Sequence, residues 1–322
     1  MKLRGIEFGP ILDASGVRGF FGEGYWYHRF LKPMGLNFAG CTFVAKTTTL
    51  PARKGNMPMG KDGITMKVWK PKCVKVNFRK GIMLNAVSLS GPGAEFLFGI
   101  GRWQARTEPL FLSFMSIATT PEERIAELQE FVKLFAKYLP FAKYLPGFRT
   151  PVGLQINYSC PNVGLDLSCL VDEARNGLSI ASVLDIPLMP KFNILTPVKA
   201  VKEISDDPNC DAICISNTIP WDKLGEVGID RKKLFGSDIS PLAEFGGGGL
   251  SGKPLLPLVI EWVHTARACG IRKPINAGGG ILKADDVSSL YHAHADSVFI
   301  GSVATLRPWR VQEIIRRARQ LF

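Results

Sequence analysis

At 322 residues, with 46% hydrophobic and 21% charged content, the chain is long enough to bury a sizeable core as one large domain or two smaller ones. It has no run of 18 or more uncharged apolar residues, and the opening MKLRGIEFGPILDASG lacks the apolar block of a signal peptide. No transmembrane segment is therefore expected, and the expected location is cytoplasmic. The formal net charge of +12 suits an anionic substrate or cofactor, an acidic partner, or weak adhesion to nucleic acid or anionic lipid, and does not choose among them.

Seven cysteines, an odd number without CxxC or Cys/His ligand spacing, speak against a disulfide framework and against a structural metal. Along the chain, short β-type runs alternate with helical patterns. GPILDASG (9–16) and CTFVAKTTT (41–49) read as strands. PLFLSFMS (109–116) precedes a helix in which Thr120 caps, Pro121 fits the first turn, Glu122 and Glu123 suit the dipole, and Ile125, Leu128, Val132, Phe135 and Leu139 form one face. The alternation continues through VGLQINYS (152–159), IPLMPKFN (186–193), the helical TPVKAVKEIS, DAICISNT (211–218), a helix closed by Gly270, KPINAGGG (273–280), ADDVSSLYHA, SVFIGS (297–302) and a terminal helix. Eight strands separated mainly by helices predict a single α/β domain over residues 1–322, a (β/α)8 TIM barrel.

Two segments break the rhythm. Residues 53–80 alternate Lys with Val, Trp or Cys, which reads as an inserted basic β-hairpin near the active-site mouth, serving either as a solvated edge or as a lid or docking surface. The tandem FAKYLPFAKYLPGF (135–148) is too short for a repeat architecture and reads as a lengthened connection.

Barrel enzymes work at the carboxyl ends of their strands. Those ends carry Ala14, Ser15 and Gly16; Lys46 and Thr47; Asn157 to Asn162; Lys191; Asn217 and Thr218; Gly279 and Gly280; Gly301 and Ser302. Gly-containing turns after the last two strands, with a third Gly-rich turn at 244–255 that includes Gly249, suit a phosphorylated cofactor. Buried lysines need a carboxylate or an anionic ligand, and the anionic edge of a reduced flavin would answer that need. Asn85, Asn157, Asn162 and Asn217 each offer a donor and an acceptor, which matches a pyrimidine edge. Cys160, in a Pro-containing strand-end loop between Asn157 and Asn162, is either a small apolar filler or an acid–base thiol. The four histidines lie mostly in helical patterns, so a Cys–His nucleophile pair is not expected.

Taken in order, ASG, KTTTL…RKGNMP, GIMLNAVSLSGPG, NYSCPNV, a strand-end Lys, SNT, GGLSGKP, AGGGI and FIGS resemble the dihydroorotate dehydrogenases over nearly the whole chain. Cys160 is similar to the base of the class 1 branch, and MLNAVSLSGPG is most similar to the subgroup that works with an iron–sulfur/FAD partner subunit. The resemblance implies FMN held by Ala14, Ser15, Gly16, Lys46, Thr47, Asn157, Lys191, Gly249, Gly279, Gly280, Gly301 and Ser302. It implies dihydroorotate or orotate held by Asn85, Ser88, Leu89, Asn157, Asn162, Asn217 and Thr218. Cys160 and Lys46 would be catalytic, Cys160 removing the C5 proton as hydride leaves C6. The chain departs from the family at Ser88, where Gly is usual. A homodimer and an electron-transfer partner subunit are implied, and no nucleic-acid partner. Two other readings stay open: the same flavin chemistry on another dihydropyrimidine-like ring, and a non-catalytic basic barrel that binds an acidic partner.

Overall fold

The computed structural model describes residues 1–68, 70–139, 147–158 and 167–322. Eight short parallel strands form its centre: β1 (Ile11–Asp13), β2 (Phe43–Val44), β3 (Leu110–Phe114), β4 (Val152–Asn157), β5 (Leu188–Phe192), β6 (Ile213–Ile215), β7 (Ile275–Ala277) and β8 (Ser297–Ile300). Pairing runs β1-β8-β7-β6-β5-β4-β3-β2. The circle closes through the parallel bridge Leu12–Thr42, where Asp13 N–H donates to Thr42 C=O and Thr42 N–H to Ile11 C=O. All eight expected strands are present, and the chain is a (β/α)8 barrel. Both faces of each strand are covered, which is why they read as unbroken apolar runs rather than alternating ones.

Helices α1 (Pro121–Ala136), α2 (Leu167–Ala181), α3 (Val198–Ser205), α4 (Leu255–Ala268), α5 (Ala284–His292) and α6 (Val311–Leu321) lie outside the barrel. In α1 the expected cap is a full capping box: Glu123 N–H donates to the Thr120 hydroxyl, and Thr120 N–H donates to the Glu123 carboxylate. Its buried face differs from the expected one. Leu128, Phe131, Val132 and Phe135 are buried with Arg124, whereas Ile125 is half-buried and Leu139 lies past the helix end. Arg124 is tolerated inside because it forms a two-pronged ion pair with Glu173 of α2, at 2.8 and 2.6 Å.

One mouth of the barrel is plugged. Lys2–Leu3 pairs antiparallel with Ile6–Glu7, and this hairpin drives Leu3 and Phe8 against Leu12, Val44, Phe111, Met189 and Phe299. Phe8 and Phe111 pack with their rings tilted by 41° and centroids 4.4 Å apart. Phe111 in turn fills the space that a side chain at Gly153 would occupy, since a Cβ there would stand 2.4 Å from its ring. The open mouth is the opposite one, at the carboxyl ends of the strands.

The inserted hairpin expected at 53–80 needs correction. Val74–Asn77 does form a hairpin, but with Ile82–Asn85, in the register Val74–Asn85 to Asn77–Ile82. Residues 53–68 contribute only single bridges, Arg53–Gly91 and Met59–Met66. The hairpin belongs to a four-stranded antiparallel sheet with Gly249–Gly252 and Ile219–Pro220. A partner strand some 170 positions away pairs along all four residues of Ile82–Asn85, and no local pattern announces it. The FAKYLP duplication runs into 140–146, outside the described residues.

Candidate functional site

The carboxyl ends of the strands open on a cleft of about 1760 Å³, roofed by the four-stranded sheet. Single small-molecule pockets take roughly 300–1,000 Å³, so this cleft has room for a cofactor and a substrate together. Ala14, Ser15, Gly16, Lys46, Thr47, Asn85, Ser88, Leu89, Asn157, Lys191, Asn217, Thr218, Gly249, Gly279, Gly280, Gly301 and Ser302 all line it. Cys160 and Asn162 lie outside the described residues.

Two lysines dominate its electrostatics. Lys46, after β2, donates to the Ser90 carbonyl and stands 4.6 Å from the centre of the Phe20 ring. Burial brings its ammonium down to about 8. Lys191, in β5, is buried with its Nζ 5.3 Å from the Phe299 ring centre, and burial lowers it too, against a partly opposing pull from Cys214. Among the described residues neither lysine has a carboxylate partner, although thirteen other ion pairs occur. A cation raised in energy by burial and left without an acid favours an anion in the cleft.

Hydroxyls run across the floor from strand to strand. The Ser15 and Thr47 hydroxyls are 2.7 Å apart, Thr47 and Ser113 2.9 Å, and Ser113 lies 3.4 Å from the Gln155 amide oxygen, while Ser15 also donates to the Ala45 carbonyl. In whichever direction the chain is polarised, the protein acceptors within it take the three hydroxyl hydrogens. Ser15 and Thr47 therefore present lone pairs to the cleft and accept from a ligand's N–H or O–H groups. Ser113 and Gln155 are buried behind them.

The amides gather on the other side. Asn157 ends β4, and the Asn217 amide reaches it at 3.5 Å; the Asn217 side-chain oxygen accepts from Thr218 N–H at 2.8 Å. Asn85 stands on the roof opposite Gly249. Gly249 lies in a strand, which corrects the expected turn, because the run Gly246 to Gly248 takes up the left-handed bend just before it. Ser88 and Leu89 both adopt left-handed backbone, with φ of 58° and 57°. Arg53 clamps this turn by donating to the Ser88 carbonyl at 2.9 Å and to its hydroxyl at 3.3 Å.

Two glycines make a cradle. A Cβ at Gly301 would stand 2.8 Å from the Ala14 Cβ, so the ends of β8 and β1 approach closely enough to expose backbone. At Gly280, φ is 81°, and a Cβ would meet the Leu256 nitrogen at 2.8 Å near the start of α4. Flat and phosphorylated groups fit such surfaces.

Several lining residues were not among the expected ones. Tyr25, Trp26, Tyr27 and Phe30 form an aromatic wall, with the Tyr25 hydroxyl donating to Gly16 C=O at 2.6 Å. The run YWYHRF was a visible signal, since so many rings outside any strand period need a surface to cover. Ser116 donates to Glu127, which also accepts from Ile117 N–H at 2.8 Å and so fixes the loop after β3. Nothing local marks that pairing in the sequence. No histidine lines the cleft among the described residues; His28 is buried beneath the aromatic wall, and burial depresses it to about 4.

A protein-family model described as dihydroorotate dehydrogenase matches residues 1–321. The catalytic subunit of a dihydroorotate dehydrogenase B (NAD+) from Anoxybacillus flavithermus is 26% identical over 98% of this chain and 88% of its own length. A dihydroorotate dehydrogenase A (fumarate) from Lacticaseibacillus paracasei is 28% identical over 91% and 87%. Among solved structures, that of the Eimeria tenella DHODH in complex with ferulenol superposes with a TM-score of 0.67 at 18% identity, over 98% of this chain and 82% of the other, a likeness of fold.

Proposed function

Because the chain belongs to the dihydroorotate dehydrogenase family, we propose that it is an oxidoreductase that converts dihydroorotate to orotate in pyrimidine biosynthesis with FMN as cofactor. The observation that carries this reading is the pair of buried lysines without carboxylate partners, Lys46 and Lys191, on one cleft beside a glycine cradle and a row of hydroxyl acceptors. When bound, FMN supplies the acceptor for the hydride that leaves C6 of the substrate.

The residues divide the work. Gly279, Gly280, Gly301 and Ser302 would hold the phosphate of FMN. Ala14, Ser15, Gly16, Thr47, Asn157 and Gly249 would hold its ring, Ser15 and Thr47 as hydrogen-bond acceptors. Lys191 and Lys46 would favour its electron-rich form, because each is a desolvated positive charge on the cleft. Asn85, Asn157, Asn162, Asn217 and Thr218 read the alternating C=O and N–H edge of the substrate, while Lys46 and the Ser88–Leu89 turn meet its carboxylate. Cys160 removes the C5 proton, a role assigned from the sequence. The chain works as a homodimer and passes its electrons to an outside acceptor or a partner subunit.

Purified protein should be yellow and should bleach anaerobically on addition of dihydroorotate. In Cys160→Ala the bleaching at neutral pH should fall by at least about 100-fold in rate, the scale of a lost general base. Colourless protein, or unchanged bleaching in that variant, overturns the reading. A second reading keeps FMN and changes the ring. Ser88, left-handed where the family usually has Gly, favours it, and turnover of dihydrouracil above that of dihydroorotate would establish it.

A further inference from the structure

The positive charge of this chain is confined to one part of it. Residues 24–94 hold 12 of the 40 Lys and Arg and only one of the 28 Asp and Glu, Asp62, so the rest of the molecule is close to neutral. This segment supplies the rim of the cleft, where Lys70, Lys72 and Lys75 stand with Phe30 and Phe78. None of Arg29, Lys32, Lys70, Lys72, Lys75 and Arg79 has an ion-pair partner among the described residues.

Four of the large apolar side chains that the protein leaves in water gather here: Phe30 (63% exposed) and Phe78 (56%) line the rim, and Met34 (52%) and Trp309 (51%) adjoin it. Their neighbourhood is fixed by contacts. The Arg307 guanidinium donates to the Phe78 carbonyl at 2.7 Å and lies 5.9 Å from the Trp309 ring centre. Gly35, next to Met34, would bring a Cβ within 3.3 Å of the Trp309 backbone. Phe30 packs edge-on against Trp26 of the aromatic wall.

We propose that this rim docks on an anionic lipid bilayer, with Phe30, Met34, Phe78 and Trp309 entering the interface and the surrounding lysines and arginines resting on the headgroups. Aromatic and aliphatic side chains ringed by unpaired cations are the composition of a peripheral membrane surface. A phosphate backbone would satisfy the cations and leave the apolar side chains in water, whereas an anionic bilayer takes up both. Docked in this way, the cleft opens toward the lipid.

The test is co-sedimentation of the purified protein with phosphatidylcholine vesicles and with vesicles that also contain phosphatidylglycerol, at low and high salt. It reads partition rather than turnover and is independent of the flavin chemistry. Partition should favour the phosphatidylglycerol vesicles by at least ten-fold. Since each cation at such a surface contributes about five-fold, Lys75→Glu with Arg79→Glu should abolish most of it. Trp309→Ser should reduce it several-fold at both salt concentrations, and Met34→Ser reads the same surface should Trp309→Ser fail to fold. Equal partition to both vesicles overturns the proposal. So does binding that depends on the charges but is unchanged in both apolar variants, which would show adsorption of the cations to any polyanionic surface without entry of the apolar side chains. A change of oligomeric state in Trp309→Ser with unchanged partition would make the rim a contact between copies of the chain, and would equally overturn it.

Discussion

Lys46 shows what the cleft asks of a single residue. Its ammonium, ordinarily near 10.5, is brought to about 8 by burial. Because the folded-state value lies below the unfolded one, the folded chain binds fewer protons between about pH 8 and 10.5, and stability contributed by this residue rises over that window. Below pH 8 the buried charge opposes folding, by up to about 3 kcal/mol for a lowering of this size. Lys46→Met should therefore raise the thermal midpoint of the cofactor-free protein at pH 7 while weakening orotate binding by at least ten-fold. In the unaltered protein, orotate affinity measured by flavin absorbance should fall as pH rises above about 8, since an anion beside Lys46 favours its charged form, and Lys46→Arg should abolish that fall. Thr47 serves the cleft as an acceptor. Ser113→Ala leaves Thr47 able to donate to Ser15 while Ser15 donates to the Ala45 carbonyl, so FMN affinity should be little changed, whereas Thr47→Val removes the acceptor and should lower it by roughly ten-fold, the scale of one net hydrogen bond.

At the scale of elements, the two-residue left-handed turn and the α1–α2 ion pair carry the sharpest expectations. A non-glycine residue in left-handed backbone costs on the order of 1 kcal/mol. Ser88→Gly should stabilise the chain by up to that amount, read as a higher denaturation midpoint with an unchanged slope; a lower midpoint would mean that the Arg53 clamp outweighs the strain. Arg124 and Glu173 are both nearly buried. Arg124→Met should cost about 3–5 kcal/mol by leaving a carboxylate unpaired, and adding Glu173→Met should recover most of it. These features separate what was legible in the sequence from what was not. The eight strands were legible because a doubly covered strand is an apolar run of fixed length, and the α1 cap was legible because it is local. Phe131 was missed where Ile125 was expected, because the buried face includes Arg124, a cation whose burial depends on Glu173 of another helix. The hairpin was misplaced and Gly249 was read as a turn for one reason: both are fixed by the pairing of Ile82–Asn85 with Gly249–Gly252, a contact between distant segments.

For the whole molecule, the two ends of the barrel do different work, and that division made most of the lining residues legible. Strand-end residues converge on the open mouth because every strand runs in the same direction, so the place of Asn157 or Lys191 follows from strand order alone. The roof and the aromatic wall come from inserted segments and carry no such index. At the closed end, Phe8 fills the barrel against Phe111, and both are essentially inaccessible. Phe8→Ala should cost about 3–5 kcal/mol, because Gly153 and the surrounding strand backbones cannot collapse into the space left behind. The loss should appear as a lower midpoint of chemical denaturation. FMN affinity and the pH dependence set by Lys46 should not move, since Lys46 and the glycine cradle stand at the carboxyl ends of the strands and the plug reaches the cleft lining through Phe299 and Ala14 rather than through them. An equal loss of FMN affinity in Phe8→Ala would show that the two ends are mechanically coupled through the strands, and the separation of a stabilising end from a working end would then fail for this barrel.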